Sequence, residues 1–339
     1  MPTDPFVHLH VASGWSLRHG ASHPDQLVAA AAEHGMPALA LTDRDGVRGA
    51  VRFVRSCMAA GIAPILGVDF AISDSVLTDR PKPSQMKPSQ KKPSGSAKTP
   101  ARGGRNIDPR WPRVTVIARD ARGWASLCHL ISAAHTAAEQ RGERGRPVID
   151  QELLAAHTSS GGVFVLLGPD SAPGRALARR RPDLAAAQVH RWREFVPNDS
   201  LRIEVVNHRG ADPTGRSASF AARMLGLAHE TKYPAVLTNA VRYVHRDDAP
   251  VADVLDAVRR LVPLDARHVD RRTGEGYLKS GRQMAQVAAE VVRLAGVGTD
   301  VATARRLLDA TVSVAEQCVL DPVADLGIGS VHFPELSVV

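Results

Sequence analysis

Short apolar runs alternate with amphipathic stretches in the first part of the chain, and this alternation constrains the fold more than any other sequence feature. Three runs are typical of strands and two stretches of helices, the strands at 6–10, 38–42 and 65–70 and the helices at 24–34 and 47–60. Consecutive parallel strands need a crossover, which is usually a helix. The pattern therefore predicts a parallel sheet with helices outside it.

The alternation resumes in the second part of the chain. Four further runs are typical of strands, at 113–118, 163–167, 201–206 and 235–237. After Tyr243 only helical patterns remain, at 249–260, 280–294 and 300–316. Seven strands, nearly all followed by helices, predict an α/β fold. A TIM-barrel-like β/α barrel over residues 1–245, followed by a helical extension over 246–339, fits better than an open sheet.

The positive charge of the chain is concentrated in one segment. There are 43 Lys and Arg against 35 Asp and Glu, a formal net charge of +8. Eight of the cations and none of the acids lie at 80–105, in a tract rich in Pro, Lys, Ser and Gln. Such a tract is predicted to be a disordered basic insertion. Its cations could attract phosphate backbones, but a passive insertion is favoured and the rest of the chain is balanced in charge.

Composition excludes several classes of protein. A hydrophobic content of 44% is enough for a sizeable core. No apolar run approaches the ~20 residues of a spanning helix, and the first residues do not resemble a signal peptide. The three cysteines are far apart without a CxxC motif, which argues against disulfides and a thiolate zinc site. A cytoplasmic protein without a membrane partner is expected.

Polar residues follow several of the predicted strands. His8 and His10 are two positions apart on the first strand, so both imidazoles are expected on one face. Paired imidazoles suit Zn, Mn or Fe, although two polar residues without a metal are an open alternative. Asp43 could bind a metal, cap the next helix or pair with Arg44 or Arg48, and capping or turn formation is favoured. Asp69 and His208 stand where a barrel site would need them.

Several motifs together resemble a known family. FVHLHVASGWSLRHGASHPDQLV is followed by ALALTDRDGVRGAVRF, GIAPILGVDF, IEVVNHRG and VLTNAVRYVHRDDAPVADVLDAVRR, and then by HFPEL within 331–336. This order is similar to the PHP (polymerase and histidinol phosphatase) domain of the bacterial DNA polymerase III alpha subunit. GASHP and LTDRDG resemble the error-prone or actinobacterial branch most closely. The resemblance covers nearly the whole chain apart from the insertion at 80–105.

The resemblance implies a distorted seven-stranded β/α barrel. In metal-competent relatives it also implies a multi-metal site that hydrolyses phosphoesters, sometimes as a 3′–5′ exonuclease. Position by position, three family ligands are kept or conservatively replaced, at His10, Asp69 and His208, with His8 and His19 as possible stand-ins. The others fall on Ala12, His19, Arg44, Arg113, a position near Pro169, Ala240 and Arg242.

The arginines at three ligand positions favour loss of the metal site. Arg44, Arg113 and Arg242 would repel divalent cations and could pair instead with Asp43, Asp45 or Asp69. A non-catalytic scaffold without a cofactor is therefore the favoured interpretation. One alternative is a phosphoesterase or exonuclease that uses Zn, Mn or Mg at His8, His10, Asp69 and His208. Another is an arginine cluster that binds phosphate or the DNA backbone.

The partner that the resemblance implies is a polymerase core. The resemblance places the catalytic acidic residues of the polymerase beyond residue 339. The core is therefore expected either in the same polypeptide or as a separate chain, with DNA contacted only indirectly. A fragment, a split gene and a standalone protein remain open alternatives.

Overall fold

A computed structural model describes residues 6–73, 111–140, 147–159, 161–211, 215–265, 268, 271, 273–296 and 301–329. The predicted insertion at 80–105 and the HFPEL motif lie outside these ranges. The described residues form an α/β fold built on one curled sheet. Within the described ranges, no helix combines the length and the apolar character that crossing a bilayer requires.

Six strands form the sheet, and they lie side by side in chain order. They are β1 Ala38–Arg44, β2 Ala63–Ala71, β3 Arg113–Ala118, β4 Val163–Leu167, β5 Leu201–Val206 and β6 Ala235–Thr238. β1 and β2 are parallel, as are β4, β5 and β6. β3 is antiparallel to both its neighbours, so the expectation of parallel strands throughout is wrong at this position.

The reversed strand decides which residues meet at the rim. In its register Asp69 is opposite Thr115, and Ala71 is opposite Arg113. The start of β3 therefore lies beside the end of β2. A parallel β3 would have placed Arg113 at the opposite rim, because the ends of parallel strands coincide.

Ten α-helices lie in the described ranges. They are α1 Pro24–Glu33, α2 Ala50–Ala60, α3 Ala121–Gln140, α4 Gln151–Thr158, α5 Ala172–Ala178, α6 Pro182–Trp192, α7 Ala218–Thr231, α8 Ala249–Arg260, α9 Gly281–Ala295 and α10 Val301–Glu316. Their ends follow local rules. Asp150 accepts a hydrogen bond from Leu153 N at the start of α4, and Gly61 ends α2 in the left-handed region with φ 70°.

The inner face of the sheet is apolar at one end and polar at the other. The apolar end contains Ala38, Ala40, Ile65, Ile117, Phe164, Leu166 and Val236, packed against Val314, Ala315 and Cys318 at the end of α10. Because side chains alternate along a strand, the next inward positions are polar, namely Arg44, Asp69, Thr115, Glu204 and Thr238. α10 closes the apolar end, so the polar end is the one that can hold a site.

The segment at 6–12, predicted as the first strand, is not a regular strand. Its carbonyls accept hydrogen bonds from β1, with Ala40 N on His8 O at 3.0 Å and Thr42 N on Val11 O at 2.8 Å. Val241, just after β6, forms an isolated parallel bridge with Val11. From His8 to Val11 the chain advances three residues while β1 advances two. This bulge-like mismatch breaks the ladder, so the described residues contain six regular strands where seven were predicted.

Of the three C-terminal helices, α10 packs directly onto the sheet. All three were predicted from the sequence, and α8 has the predicted bounds. Thr311 on α10 bonds to the edge strand, because its Oγ1 accepts a hydrogen bond from Leu237 N at 2.8 Å. α9 packs against α7 and α10. α9 and α10 therefore contribute side chains to the core of the described fold.

Candidate functional site

A small pocket opens at the polar end of the sheet interior. Its volume is about 20 Å³, which is room for about one water molecule. Charged and polar side chains dominate the lining, among them His10, His19, Arg44, Asp69, Arg113, Thr115, Asp170, Glu204 and Arg216. The strand ends therefore bring together residues that are far apart in the sequence.

One side of the pocket is an arginine cluster of Arg44, Asp45, Asp69 and Arg113. Asp69 Oδ2 accepts hydrogen bonds from Arg113 Nε at 2.9 Å and from Arg44 Nε at 3.2 Å. Arg113 Nη2 also donates to Asp45 Oδ1 at 2.9 Å. Burial would raise the pKa of Asp69, but the two guanidinium groups hold it below its usual value. Of the three acids that the sequence offered as partners, Asp45 and Asp69 therefore pair with arginines, whereas Asp43 does not pair with Arg44 or Arg113 here.

The turn after β1 supports this cluster. Asp45 has φ 56°, a left-handed conformation that aspartate tolerates better than most residues. Its backbone N–H donates to Asp69 O at 3.1 Å, and its Oδ1 accepts from Ala71 N at 3.2 Å. His135 on α3 also contacts this turn, since its Nε2 lies 3.1 Å from Asp45 O. The end of β1 is thus tied to the end of β2.

The other side of the pocket is formed by a histidine cluster of His10, Thr115, Glu204 and Thr238, of which the first three line the pocket. Glu204 Oε1 lies 2.7 Å from His10 Nδ1 and accepts a hydrogen bond from Thr238 Oγ1 at 2.6 Å. Burial would lower the pKa of His10, but the carboxylates of Glu204 and Asp69 raise it above its ordinary value. The protonated imidazole is therefore favoured beside Glu204.

Gly168 makes room for the Glu204 carboxylate. A Cβ atom at this glycine would lie 1.9 Å from Glu204 Oε2, which is shorter than any tolerable contact. Glu204 can occupy its position only because residue 168 has no side chain. Neither residue was predicted from the sequence as part of a site. A charged residue in the middle of the buried run LRIEVV was the signal that could have identified Glu204.

A second ion pair lies at the pocket between Asp170 and Arg216. Arg216 Nη2 donates to Asp170 Oδ2 at 2.6 Å. Burial would raise the pKa of Asp170, but Arg216 and Arg44 lower it to about 2. The Asp170 carbonyl also accepts a hydrogen bond from Arg113 N at 3.1 Å. Each charged side chain of the lining considered so far thus faces an opposite charge.

His8 does not share the surroundings of His10. Its Nε2 contacts Lys279 O at 2.8 Å, and its ring meets Phe6 edge-on at 5.0 Å between centroids. Burial lowers the pKa of His8 to about 4. The i, i+2 expectation assumed a regular strand, and the mismatch between His8 and Val11 removes that regularity. The two imidazoles therefore lie in separate environments.

His208 also lies apart from the pocket lining. Its Nε2 is 2.7 Å from Asn239 O, and its own carbonyl accepts a hydrogen bond from Thr273 Oγ1 at 2.6 Å. Burial, together with the charge of Arg216, holds the pKa of His208 well below its usual value. Of the four predicted metal residues, His10 and Asp69 line the pocket, whereas His8 and His208 contact backbone carbonyls elsewhere.

Asp43 anchors the loop that follows His10. Its Oδ1 accepts hydrogen bonds from Ser13 N and Ser16 Oγ, both at 2.7 Å. The N-cap of α2 is Gly49, which has no side-chain cap hydrogen bond. The expectation that Asp43 caps the next helix is therefore wrong, and its carboxylate instead holds the loop of Ser13 and Ser16. Asp43 is 2% exposed, so its carboxylate relies on the hydrogen bonds from Ser13 and Ser16 and holds this loop in place.

Arg242 has a different position from the one predicted. Its guanidinium pairs with Asp256 on α8, with Nη2 and Oδ1 2.8 Å apart, and it also donates to His19 O. Arg242 is 4% exposed and is not part of the pocket lining. It connects the loop containing His19 to α8. His19 does line the pocket, and burial together with Arg44 and Arg242 lowers its pKa well below the usual value.

The described residues do not fit the multi-metal site that the resemblance implied. Nowhere in the described ranges do three His, Cys, Asp or Glu side chains come together in a group able to hold a metal ion. Asp69 Oδ2 is already bonded to two guanidinium groups, and His10 Nδ1 is bonded to Glu204. Fixed positive charge at this position also repels a divalent cation.

Curated relatives match most of the chain. The DNA polymerase III subunit alpha of Treponema pallidum (strain Nichols) is 30% identical over 285 residues, which are 83% of this chain and 22% of that protein. The error-prone DNA polymerase of Symbiobacterium thermophilum is 31% identical over 334 residues, which are 95% of this chain and 26% of that protein. The chain thus spans about a quarter of the length of these relatives.

A solved structure of a candidate metal-dependent phosphoesterase from Bifidobacterium adolescentis is 12% identical, with a TM-score of 0.44 over 71% of this chain and 88% of that one.

The family is established by a match to more than half of the chain. The family model of the PHP domain matches residues 8–208. This match confirms the resemblance noted in the sequence, and the chain belongs to the PHP domain family.

Proposed function

We propose that this chain is the PHP module of a DNA polymerase of the DNA polymerase III alpha or error-prone type. In this proposal it serves DNA replication or repair synthesis as a structural scaffold and does not hydrolyse phosphoesters. One observation carries the proposal. A single oxygen of Asp69 accepts hydrogen bonds from both Arg44 and Arg113, at positions where the family would have metal ligands.

Electrostatics supports the scaffold role. Asp69 is 4% exposed, and a buried carboxylate needs a cation beside it. The two guanidinium groups supply that charge without a metal ion. Breaking a buried ion pair by removing one partner typically costs ~3–5 kcal/mol. A metal ion at Asp69 would therefore either displace the two guanidinium groups from their carboxylate or lie beside them against the repulsion of like charges.

The proposal extends to the architecture of the module. Residues 6–12 take the place of a seventh strand and complete a distorted barrel over residues 1–245, with residues 246–339 as the extension toward a polymerase core. Backbone hydrogen bonds from this segment to β1 and to Val241 support the closure. In this view His8, His10, Asp69 and His208 are remnants of an ancestral metal site.

The rival function is a metal-dependent phosphoesterase or 3′–5′ exonuclease. The presence of His10, Asp69, Asp170 and Glu204 around one pocket favours it, and Zn, Mn or Mg would be the metal. A pocket of about 20 Å³ is too small for a phosphoester, so the rival requires the arginines to move. Binding of a phosphate or a DNA backbone by the arginines requires the same movement.

The partner in this proposal is a polymerase core, in the same polypeptide or in a separate chain. DNA is contacted through that core, and the complex works in the cytoplasm. The relatives support this partner, because in each of them the matching region is part of a much longer polymerase chain.

Affinity purification from the source organism tests the proposal. The chain is tagged at its chromosomal locus, and the purified material is analysed by mass spectrometry and by primer extension. We expect a C-family polymerase core to be recovered, either as part of the tagged polypeptide or as a stoichiometric partner. The same preparation is assayed with a chromogenic phosphodiester and with single-stranded DNA in Mn²⁺ or Zn²⁺.

Two results would contradict the proposal. One is purification of the chain without any polymerase core. The other is phosphodiester turnover that His10→Ala abolishes while the melting temperature of the variant stays unchanged, because this result would establish the hydrolase instead.

A further inference from the structure

Helix α8 presents its large aliphatic side chains to solvent, whereas its buried face contains alanines and two charged residues. Val251, Val254, Val258 and Leu261, the residue that follows the helix, are between 38% and 48% exposed. We call these four residues the valine stripe. A surface helix normally turns its apolar stripe to the core. α8 is therefore inverted relative to the usual arrangement.

The opposite face of α8 is buried and contains alanines and ionic residues. Its buried members are Ala249, Ala252, Asp256, Ala257 and Arg260. Asp256 accepts hydrogen bonds from Arg242 at 2.8 Å and from Arg259 at 3.0 Å. Rotation of the helix to bury the valines would pull Asp256 away from Arg242. The buried ion pair thus fixes the stripe on the outside.

The spacing of the valine stripe is that of a helix–helix contact. Its residues are separated by three, four and three positions, the pattern of the a and d sites of a heptad repeat. The charged neighbours of the stripe already have partners, since Asp253 pairs with Arg271 and Arg259 with Asp256. The surface therefore suits an apolar helix better than a charged segment or nucleic acid.

The position of α8 in the chain indicates which protein supplies the partner helix. α8 lies beyond residue 208, where the match to the general PHP family ends. It lies within the 95% of the chain that matches the Symbiobacterium thermophilum polymerase. The stripe is therefore in a part of the chain shared with polymerases and outside the part that defines the PHP family.

The size of the stripe favours a partner that is held nearby. Stable interfaces bury ~800 Å² on each side, and four half-exposed aliphatic side chains supply only a fraction of that area. A second copy of the chain would gain too little from this contact alone. A helix of the same polypeptide, or of a subunit already held by other contacts, is present at high effective concentration.

We propose that the valine stripe docks an apolar helix of the polymerase core. This inference rests on the proposed function and names the surface through which the module contacts its partner. The stripe would then be the surface that orients the PHP module relative to the rest of the polymerase.

Photo-crosslinking in the source organism tests the docking surface. The codon of Val254 is replaced so that the tagged chain carries Val254→p-benzoylphenylalanine. A matched control carries Val51→p-benzoylphenylalanine on α2, where Val51 is 53% exposed. We expect a crosslink from position 254 to a peptide of the polymerase core, in the same or a separate polypeptide, and none from position 51.

A pair of charged variants gives a second readout. Val254→Asp with Val258→Asp should lower recovery of a separate polymerase core at least tenfold, or should expose the helix to proteolysis when the core is in the same polypeptide. Val51→Asp should change neither result. The melting temperature of the purified chain should stay unchanged, and a large drop would show that the stripe is buried within the chain itself, which overturns the proposal.

The outcomes separate this inference from the proposed function. A crosslink from position 254 only to a second copy of the chain, or no crosslink beyond that of the control, overturns the docking surface. If the polymerase core is nevertheless recovered with the tagged chain, the proposed function stands. If no core is recovered at all, the proposed function fails.

Discussion

The two sides of the pocket neutralise a buried carboxylate in different ways. In the arginine cluster Asp69 faces two guanidinium groups, which remain charged at every physiological pH. In the histidine cluster Glu204 faces an imidazole and a threonine hydroxyl. The first arrangement is fixed in charge, whereas the second depends on the proton of His10. A metal ion could enter the second without displacing a permanent cation, but not the first.

The difference explains why two predicted metal ligands at one pocket do not by themselves make a metal site. His10 and Asp69 both line the pocket, as the family resemblance implied. Asp69, however, is bonded to Arg44 and Arg113. The arginine cluster is therefore expected to contribute to stability, and the histidine cluster to give that stability its pH dependence.

The largest effect is expected from Arg113→Met. This change removes the partner of Asp45 and one of the two partners of Asp69, and leaves the buried Asp69 with Arg44 alone. We expect the free energy of unfolding in urea to fall by about 3 kcal/mol. Arg181→Met is the matched control, because Arg181 pairs with Asp183 on the surface, and such pairs contribute little. Equal losses in both variants would remove the distinction between the buried cluster and an ordinary surface pair.

A smaller effect is expected from Gly168→Ala. The new methyl group would occupy the position of Glu204 Oε2, so the carboxylate would move away from His10. We expect a loss of about 2 kcal/mol in the free energy of unfolding. Gly226→Ala on α7 is the control, because a methyl group added there would meet no atom within 4 Å outside its own helix. This variant should raise the free energy of unfolding by about 0.5–1 kcal/mol. A neutral Gly168→Ala would show that Glu204 does not need this space.

The smallest effect, and the one that depends on pH, is expected from His10→Gln. Because the pKa of His10 is raised in the folded chain, its pairing with Glu204 stabilises the fold fully below its ordinary pKa of 6.5. That contribution is lost as the pH rises through the raised pKa. The difference in unfolding free energy between the wild type and His10→Gln should therefore be about 1 kcal/mol at acidic pH and shrink on raising the pH.

His8 provides the control for the direction of this effect. Burial lowers the pKa of His8 to about 4, so the neutral imidazole is the folded form. Its contribution is fully present above pH 6.5 and decreases as the pH falls toward 4. The difference between the wild type and His8→Gln should thus change with pH in the opposite sense. The same slope for both variants would contradict the assignment of the two environments.

Much of the fold followed from local pattern. The bounds of β3, β4, β5 and α8 are those expected from the sequence, because their apolar periodicity is strong. The direction of β3 was not predictable in this way, since a buried strand has the same pattern in either direction. The bulge-like mismatch between His8 and Val11 was also missed, because it arises from pairing with β1 rather than from residues 6–12 themselves.

In the candidate site, the sequence predicted only contacts between oppositely charged residues. The pairing of Arg44 and Arg113 with Asp69 followed from the placement of cations at ligand positions. Arg242 pairs instead with Asp256 on α8, a residue that the sequence did not single out. The space that Gly168 leaves for Glu204 depends on the distance between β4 and β5, which no local pattern contains.

Metal content of the purified protein tests the central claim most directly. The wild type is incubated with Zn²⁺ and with Mn²⁺, passed over a gel-filtration column and analysed by inductively coupled plasma mass spectrometry, alongside Asp69→Asn and His10→Ala. Because two guanidinium groups hold Asp69, the predicted result is metal far below one ion per chain, with no difference among the three proteins. Stoichiometric metal in the wild type that is lost in both variants would contradict the account.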